Sequence, residues 1–279
     1  MTKPAKDLFD LTGRVAIITG GAGLLGRMHA EAIAEAGGVS VIADIDKEGA
    51  EKVARDISNK FRKKSIGIPT DVTQPESVKG LLEKVLDRFG RVDILINNAA
   101  SDPKIKDTTV SGKEWSRFES FPLEIWHQDL AVGLTGAFIC SQVIGTEMAS
   151  RGEGVILNIA SDLAVIAPDQ RIYQQPELPE HLQPVKPVSY SVVKGGLLIL
   201  TKYLATYWAD KNVRVNALSP GGVYNGQPDD FVQRLTNLIP MKRMANVNEY
   251  QGAVLFLISD ASSYMTGANL IIDGGRTAW

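Results

Sequence analysis

The stretch 14-RVAIITGGAGLLG-26 decides the fold of this chain, because it joins an apolar run directly to a glycine-rich loop. The run at 14–19 predicts a buried strand. A helix is predicted over 27–36, where the glycine pair that follows would end it, and a second strand over 39–43 ends at Asp44. This order of strand, loop, helix and strand predicts that the two strands pair in parallel, joined by a right-handed crossover.

The glycine loop has the spacing of a dinucleotide site, Gly21-x-Gly23-x-x-Gly26. Small residues let the backbone approach a pyrophosphate, which rests on the N-terminus of the following helix. A glycine-rich turn without a ligand is the alternative, but strand before and helix after are the context that the site requires. Asp44, about 20 residues further on, can accept hydrogen bonds from both ribose hydroxyls and repel a 2′-phosphate. We therefore predict NAD(H) over NADP(H), with a solvated turn aspartate as the alternative.

The rest of the chain repeats the alternation of strands and helices. It predicts an α/β fold of Rossmann type, with a doubly wound parallel sheet flanked by helices in a single domain over 1–279. Further strands are predicted at 65–69, 92–96, 154–160, 213–218 and 269–272, and further helices at 47–63, 75–89, 124–148, 188–211 and 247–259. Two polar inserts, near 101–121 and 168–187, interrupt the alternation, and long ordered loops are often functional.

Tyr190 and Lys194 are the candidate catalytic pair. Four residues apart on a predicted helix, their side chains lie on one face, about 5–6 Å from each other. A free tyrosine has a pKa near ~10, and a nearby positive charge lowers that pKa by favouring the phenolate. The pair is then suited to exchange a proton near the working pH, although chance also produces this spacing often.

Composition narrows the class of protein. The net charge is −2 and no basic run is present, so no nucleic-acid partner is expected. No apolar stretch reaches the ~18–20 residues of a membrane span, and no apolar signal core follows the N-terminus, so no membrane is expected. The single cysteine, Cys140, cannot form an intrachain disulfide and is expected to pack in the core. These features predict a cytoplasmic protein, and we predict no metal site.

Taken in order, the motifs resemble the short-chain dehydrogenase/reductase family in its compact form. The resemblance covers nearly the whole chain, from about 13 to 275. It rests on Thr19-Gly20 with the glycine turn, Asp71-Val72, Asn97-Asn98-Ala99, Ser161, Tyr190-x-x-x-Lys194, Pro220-Gly221 and Asp273-Gly274-Gly275.

The resemblance implies a role for each of these residues. Tyr190 would exchange the proton of an alcohol or its ketone, Ser161 would hydrogen-bond the same oxygen, and Lys194 would hold the nicotinamide ribose and lower the pKa of Tyr190. The implied cofactor-binding residues are Gly20, Gly23, Leu24, Leu25, Gly26, Asp44, Ile45, Asp71, Val72, Asn98, Ala99, Ala100, Tyr190, Lys194, Pro220, Gly221 and Val223. It also implies a homo-oligomer, a dimer or tetramer, paired through the helices at 124–148 and 188–211.

Several positions depart from the pattern of the family. Leu24 stands where a middle glycine is usual, which makes the turn resemble longer relatives that modify nucleotide sugars. Ala100 replaces a glycine, Asn225 replaces a threonine, and the segment between Ser161 and Tyr190 is longer than is common.

Gly133 is the departure with the largest chemical consequence, because an asparagine normally completes a proton relay there. Without that amide, a water held by backbone carbonyls or by an insert residue must serve the relay. We therefore expect the helix to be distorted near Gly133, and we expect Gly133→Asn to change turnover by less than about tenfold.

The leading interpretation is an NAD(H)-dependent oxidoreductase that interconverts a secondary alcohol and a ketone. Polar insert residues, among them Arg171 and His181, favour a sugar, sugar acid or sugar derivative as substrate, unless the inserts serve only oligomer contacts. A sugar-nucleotide dehydratase or epimerase is a second interpretation, supported by the glycine turn and opposed by the short chain. A dinucleotide-binding protein without catalysis is the third, and the retained Ser161, Tyr190 and Lys194 argue against it.

Overall fold

Seven parallel strands form one sheet in the order β3-β2-β1-β4-β5-β6-β7. The structure is a computed structural model that describes residues 3–101 and 115–279. The strands are β1 Val15–Thr19, β2 Val39–Asp44, β3 Ser65–Pro69, β4 Ile94–Asn97, β5 Gly154–Ile159, β6 Val213–Pro220 and β7 Asn269–Ile272. The strand order reverses between β1 and β4, and ligands of such sheets bind in the crevice at that point.

Helices connect the strands and carry ordinary end signals. They are α1 Leu24–Glu35, α2 Lys47–Phe61, α3 Pro75–Phe89, α4 Leu123–Leu130, α5 Gly136–Arg151, α6 Val188–Tyr207, α7 Asp229–Asn237 and α8 Gln251–Ile258. The side chain of Asp46 accepts a hydrogen bond from the Gly49 N–H at the start of α2. Pro75 occupies the first turn of α3, and Gly90 ends that helix in the left-handed conformation.

Two apolar layers cover the two faces of the sheet. One layer packs α1, α2 and α8 against it, with Ile33, Ile57 and Leu257 fully or almost fully buried. The other packs α3, α5 and α6, with Cys140 and Trp208 in the interior. Cys140 is a packed core residue as expected, and burial raises the pKa of its thiol to about 12. The predicted doubly wound parallel sheet is confirmed.

The predicted elements are all present, with shifted ends. α1 begins at Leu24, three residues before the predicted start, because the extended Gly23 serves as its N-cap. α6 ends at Tyr207, and a short 3₁₀ turn, Ala209–Lys211, follows it. α8 begins only at Gln251, since the residues before it form turns.

A continuous helical segment, Leu123–Arg151, contains a π-helical turn at Ala131–Thr135 between α4 and α5. In this turn the Gly136 N–H donates to the Ala131 carbonyl, five residues back instead of four. The distortion expected near Gly133 is therefore present.

The same segment corrects one expectation from the sequence. Among the described residues, Leu123–Arg151 is long and apolar enough, by length and composition, to cross a membrane. The sequence expectation missed this segment because polar residues interrupt its apolar run. Its average hydropathy nevertheless remains high. Half of its most apolar window is buried within the protein, as in the core helix of an α/β layer.

Candidate active site

A cleft of about 710 Å³ lies beyond the carboxyl ends of the strands, at the reversal of strand order. It brings together residues from distant parts of the chain. From the predicted set it is lined by Gly20, Gly23, Leu24, Leu25, Asp44, Ile45, Asp71, Val72, Asn98, Ala99, Ala100, Ser161, Tyr190, Lys194, Pro220, Gly221 and Val223.

Gly26 is the predicted cofactor residue that does not line this cleft. It is buried beneath the loop, and a Cβ added there would overlap the Gly20 carbonyl oxygen and lie 2.7 Å from Gly21 Cα. Its role is therefore close packing of helix against loop, which is the reason for the third glycine of the motif. Gly26 stays a predicted residue of the cofactor site, through this packing and not as part of the cleft lining.

The glycine loop is a backbone cradle with no room for a side chain at Gly20. Gly20 has φ +61°, and a Cβ there would lie 2.8 Å from Ala99 Cα. Gly23 offers no capping side chain to α1, so the first N–H groups of that helix are directed at the cleft. Such an arrangement attracts an anionic group, because the helix N-terminus carries partial positive charge.

Asparagine and threonine side chains hold the loop against the neighbouring strand. The amide of Asn98 donates to the Thr19 and Gly20 carbonyls, each at 3.0 Å. In return, the Thr19 hydroxyl accepts from the Asn98 and Ala99 N–H groups, at 3.0 and 3.1 Å. Asn98 therefore lines the cleft and also fixes its shape.

Asp44 stands at the end of β2, with its carboxylate at the mouth of the glycine loop. Its Oδ2 accepts from the Ala22 N–H at 3.0 Å, and its Oδ1 accepts from the Asp46 N–H at 3.1 Å. A carboxylate has about four acceptor sites, so both oxygens keep capacity for a ligand. Beside it, Ile45 is 76% exposed and Leu24 is 45% exposed, which leaves apolar surface for a planar ring to cover.

These observations fit a bound dinucleotide. The glycine loop and the N-terminus of α1 would hold the pyrophosphate of a dinucleotide. The Asp44 carboxylate lines the same cleft and would hold the ribose. Asp71 and Val72 line the same end, where the Asp71 Oδ1 accepts from the Thr73 N–H and hydroxyl at 2.9 and 2.7 Å.

The predicted catalytic residues meet at the other end of the cleft. Tyr190 and Lys194 lie on α6, and the Lys194 Nζ is 5.9 Å from the centre of the Tyr190 ring. Lys194 is 5% exposed, and its Nζ donates to the Ile159 carbonyl at 2.7 Å, at the end of β5. A second ammonium, that of Lys186, lies over the same ring at 3.8 Å. Two ammonium groups therefore lie near the ring of Tyr190.

Ser161 follows β5 directly and is buried. Its hydroxyl donates to Asp162 Oδ1 at 2.8 Å and accepts from the Leu163 N–H at 3.2 Å. These two partners fix the position of the Ser161 oxygen, and Ser161, Tyr190 and Lys194 all line the cleft.

Some cleft residues were not predicted from the sequence. Asp162 and Arg276 form a buried ion pair, with 2.8 Å between Arg276 Nη1 and Asp162 Oδ2. The available signals were the position of Asp162 directly after Ser161 and the position of Arg276 directly after the Asp-Gly-Gly motif. Further lining residues that were not predicted include an apolar cluster of Ile172, Phe231, Leu235 and Met244.

The second insert, at 168–187, lines the cleft with residues other than those expected. Tyr173 and Lys186 line it, whereas Arg171 is 80% exposed and pairs with Asp169 outside it. That hydrogen bond lowers the pKa of Asp169. His181 is exposed as well, so the assignment of Arg171 and His181 to the substrate cleft is wrong. Most of the first insert lies outside the described residues.

Comparison with known proteins gives a consistent result. Residues 14–173 match the family model described as short chain dehydrogenase, and residues 181–277 match the model described as enoyl-(acyl carrier protein) reductase. An NAD-dependent glycerol dehydrogenase of Listeria innocua is 33% identical over 277 residues, which cover 96% of each chain. An NADP-dependent mannitol dehydrogenase of Alternaria alternata is 34% identical over 279 residues, which cover 97% of this chain and 94% of the relative.

A solved structure extends this likeness to three dimensions. The gluconate 5-dehydrogenase of Burkholderia cenocepacia, in complex with NADP and tartrate, superposes with a TM-score of 0.82 at 30% identity. The match covers 99% of this chain and all of that one.

Proposed function

The chain belongs to the short-chain dehydrogenase/reductase family, and on that premise we propose that it uses NAD(H) to interconvert a secondary alcohol and a ketone on a polyol or sugar-like substrate. Membership of this family makes the chain an alcohol/ketone oxidoreductase that binds a nicotinamide dinucleotide.

The convergence of Ser161, Tyr190 and Lys194 on one cleft with the glycine loop carries the proposal. Tyr190 takes the hydroxyl proton of the alcohol during oxidation and returns it to the ketone oxygen during reduction. Ser161 hydrogen-bonds the same oxygen, and the Lys194 ammonium stabilises the phenolate form of Tyr190. The nicotinamide ring supplies the hydride acceptor or donor when bound, and the protein supplies position and electrostatics.

NAD(H) is favoured over NADP(H) because of Asp44. Its carboxylate lies beside the loop, so it would bind the two ribose hydroxyls and repel a 2′-phosphate. The relatives include both NAD- and NADP-dependent enzymes, so the family alone does not decide between them.

A hydroxylated substrate is favoured by the polar groups at the catalytic end of the cleft. Lys186 lies over the Tyr190 ring, and the Asp162–Arg276 pair lines the same cleft. The relatives named after glycerol and mannitol act on polyols, which supports the same class of substrate.

The experiment is a steady-state assay of NADH formation on a panel of polyols, with keto-sugars tested in the reverse direction. Turnover of a polyol with NAD⁺ supports the proposal. Dinucleotide binding without turnover on any member of the panel would favour the non-catalytic alternative. Turnover of a nucleotide sugar without net NADH formation would favour the dehydratase or epimerase alternative.

A further inference from the structure

The C-terminal tail places a buried arginine beside Ser161. Arg276 is 7% exposed and its Nη1 donates to Asp162 Oδ2 at 2.8 Å. The other oxygen of Asp162 accepts from the Ser161 hydroxyl and the Leu163 N–H, both at 2.8 Å. Arg276, Asp162 and Ser161 therefore form one hydrogen-bonded chain, and all three line the cleft.

A tight turn holds the tail in this position. Gly274 and Gly275 have φ +68° and +89°, and side chains there would meet Ile239 and Pro240 at 2.8 and 3.0 Å. The Asp273 carboxylate accepts from the Gly275 and Thr277 N–H groups, at 2.9 and 2.7 Å. The backbone thus reverses direction after β7, and the Arg276 side chain reaches Asp162.

The charges of the pair matter for the proposed reaction. Ser161 and Tyr190 act on the same substrate oxygen, which gains negative charge as the proton leaves. An unpaired carboxylate one hydrogen bond from Ser161 would repel that charge and would disfavour the Tyr190 phenolate. Arg276 cancels the charge of Asp162 at close range. The Nε of Arg276 is also buried without a hydrogen-bond partner among the described residues, so the guanidinium keeps one donor unused.

We propose that Asp162 and Arg276 are positioning residues for the catalytic site. Asp162 holds the Ser161 hydroxyl in the free enzyme, the single proton of that hydroxyl turns to the substrate oxygen when substrate binds, and Arg276 neutralises Asp162. This inference rests on the proposed function, because it concerns the oxygen on which Ser161 and Tyr190 act. It assigns Arg276, which follows β7 and the Asp-Gly-Gly turn, to the active site.

The test is a double-mutant cycle with Arg276→Met, Asp162→Asn and the two combined, measured as kcat and KM for polyol oxidation across pH. Arg276→Met leaves an unpaired carboxylate, so kcat is expected to fall on the order of tenfold or more, and the acid limb of kcat/KM to move to higher pH. Asp162→Asn leaves an unpaired cation, so the acid limb is expected to move to lower pH. The combined variant is expected to regain most of the lost kcat and to return the pH profile towards that of the unaltered chain.

Two further variants separate this role from a structural one. Arg276→Lys keeps the charge and is expected to rescue kcat relative to Arg276→Met. Arg55→Met removes an exposed ion pair with Glu51 on α2 and is expected to leave kcat and the pH profile unchanged. If Arg276→Met does not fold, the pH shift of Asp162→Asn alone tests the proposal. NADH binding by fluorescence is expected to be unchanged in every folded variant.

Three results would overturn the proposal. They are unchanged kcat in Arg276→Met, no recovery in the combined variant, and no opposite movement of the two pH profiles. If the unaltered chain turns over no alcohol, the proposed function fails and this inference fails with it. If the unaltered chain is active but the cycle shows no compensation, this inference alone fails.

Discussion

Asp44, Ser161 and Pro220 illustrate how single residues acquire their roles from strand ends. Each lies at or directly after the carboxyl end of a strand, namely β2, β5 and β6. Because the strands are parallel, these ends meet at one edge of the sheet, where the glycine loop also lies. Residues more than a hundred positions apart therefore reach one ligand without any long side chain.

Asp44→Asn is expected to narrow the preference for NADH over NADPH. The amide keeps an acceptor for the Ala22 N–H but loses the charge that repels a 2′-phosphate. Dissociation constants for both dinucleotides by fluorescence titration measure the effect. Asp46→Asn is the control, because Asp46 caps α2 and does not line the cleft. Tighter binding of NADPH than NADH by the unaltered chain would refute the role given to Asp44.

His29 should make the protein less stable in mild acid. Both ring nitrogens are buried without hydrogen-bond partners among the described residues, and burial lowers its pKa to about 4 from an ordinary 6.5. The unfolded chain binds the proton more readily, so this contribution is complete above about pH 6.5 and is lost as the pH falls towards 4. The loss amounts to at most about 3 kcal/mol in the free energy of unfolding.

Urea unfolding near neutral pH and at mildly acidic pH measures this effect. His29→Leu is expected to reduce the loss of stability between the two pH values, whereas His181→Gln, at an exposed position, is expected to leave it unchanged. If His29→Leu and the unaltered chain lose the same free energy of unfolding between the two pH values, the role given to His29 is wrong.

At the scale of elements, the sequence predicted the alternation of strands and helices but not the ends of several helices. Periodicity locates α6, yet the end at Tyr207 depends on packing of Trp208 in the core. The glycine loop, Ser161, Tyr190 and Lys194 were predictable because their chemistry is local in sequence. The Asp162–Arg276 pair was not, because 114 residues separate its members and only the turn at Gly274-Gly275 brings them together.

The π-helical turn at Ala131–Thr135 was predicted only as a distortion, and its packing corrects the expectation for Gly133→Asn. Gly133 is buried, and a Cβ there would lie 2.5 Å from Val193 Cγ1. Val193 directly precedes Lys194 on α6, so a side chain at 133 would press on the helix that carries the catalytic pair. The expected mild effect took no account of this contact.

Gly133→Asn is therefore expected to lower both stability and turnover, with a stability cost of about 1–3 kcal/mol from overpacking. Combining it with Val193→Ala removes the methyl groups in the way and is expected to recover part of the loss. Thermal unfolding and kcat on the same polyol measure the two effects. If Gly133→Asn alone is as stable and active as the unaltered chain, α6 can shift at this contact without a cost in stability, and the prediction is wrong.

At the scale of the whole molecule, α5 and α6 present an exposed apolar surface. It comprises Phe138 at 48%, Val192 at 42%, Ile199 at 66%, Tyr203 at 61% and Tyr207 at 61% exposure. A patch of this kind on a soluble monomer is unfavourable, and a second copy of the same face would bury it. We propose that the homo-oligomer implied by the family resemblance forms there.

Light scattering coupled to size-exclusion chromatography tests this assembly. The unaltered chain is expected to elute as a dimer or tetramer of the 30.2 kDa protomer. Ile199→Glu places a charge in the apolar face and is expected to shift the protein to a smaller species. Phe9→Glu is the control, since Phe9 is 39% exposed and lies outside α5, α6 and both inserts. A monomeric unaltered chain would contradict the proposal.

The proposed role of Tyr190, transfer of the proton of the substrate oxygen, is tested by comparing two tyrosine variants. The rate of polyol oxidation is measured for Tyr190→Phe and for Tyr203→Phe, with NADH binding measured in parallel. Tyr190→Phe removes only the proton-transfer group, so a loss of at least about 10²-fold in kcat with unchanged NADH binding is expected. Tyr203→Phe, on the same helix but 61% exposed, is expected to keep full activity. Substantial turnover by Tyr190→Phe would contradict the account and would direct attention to Tyr173, the other tyrosine of the cleft.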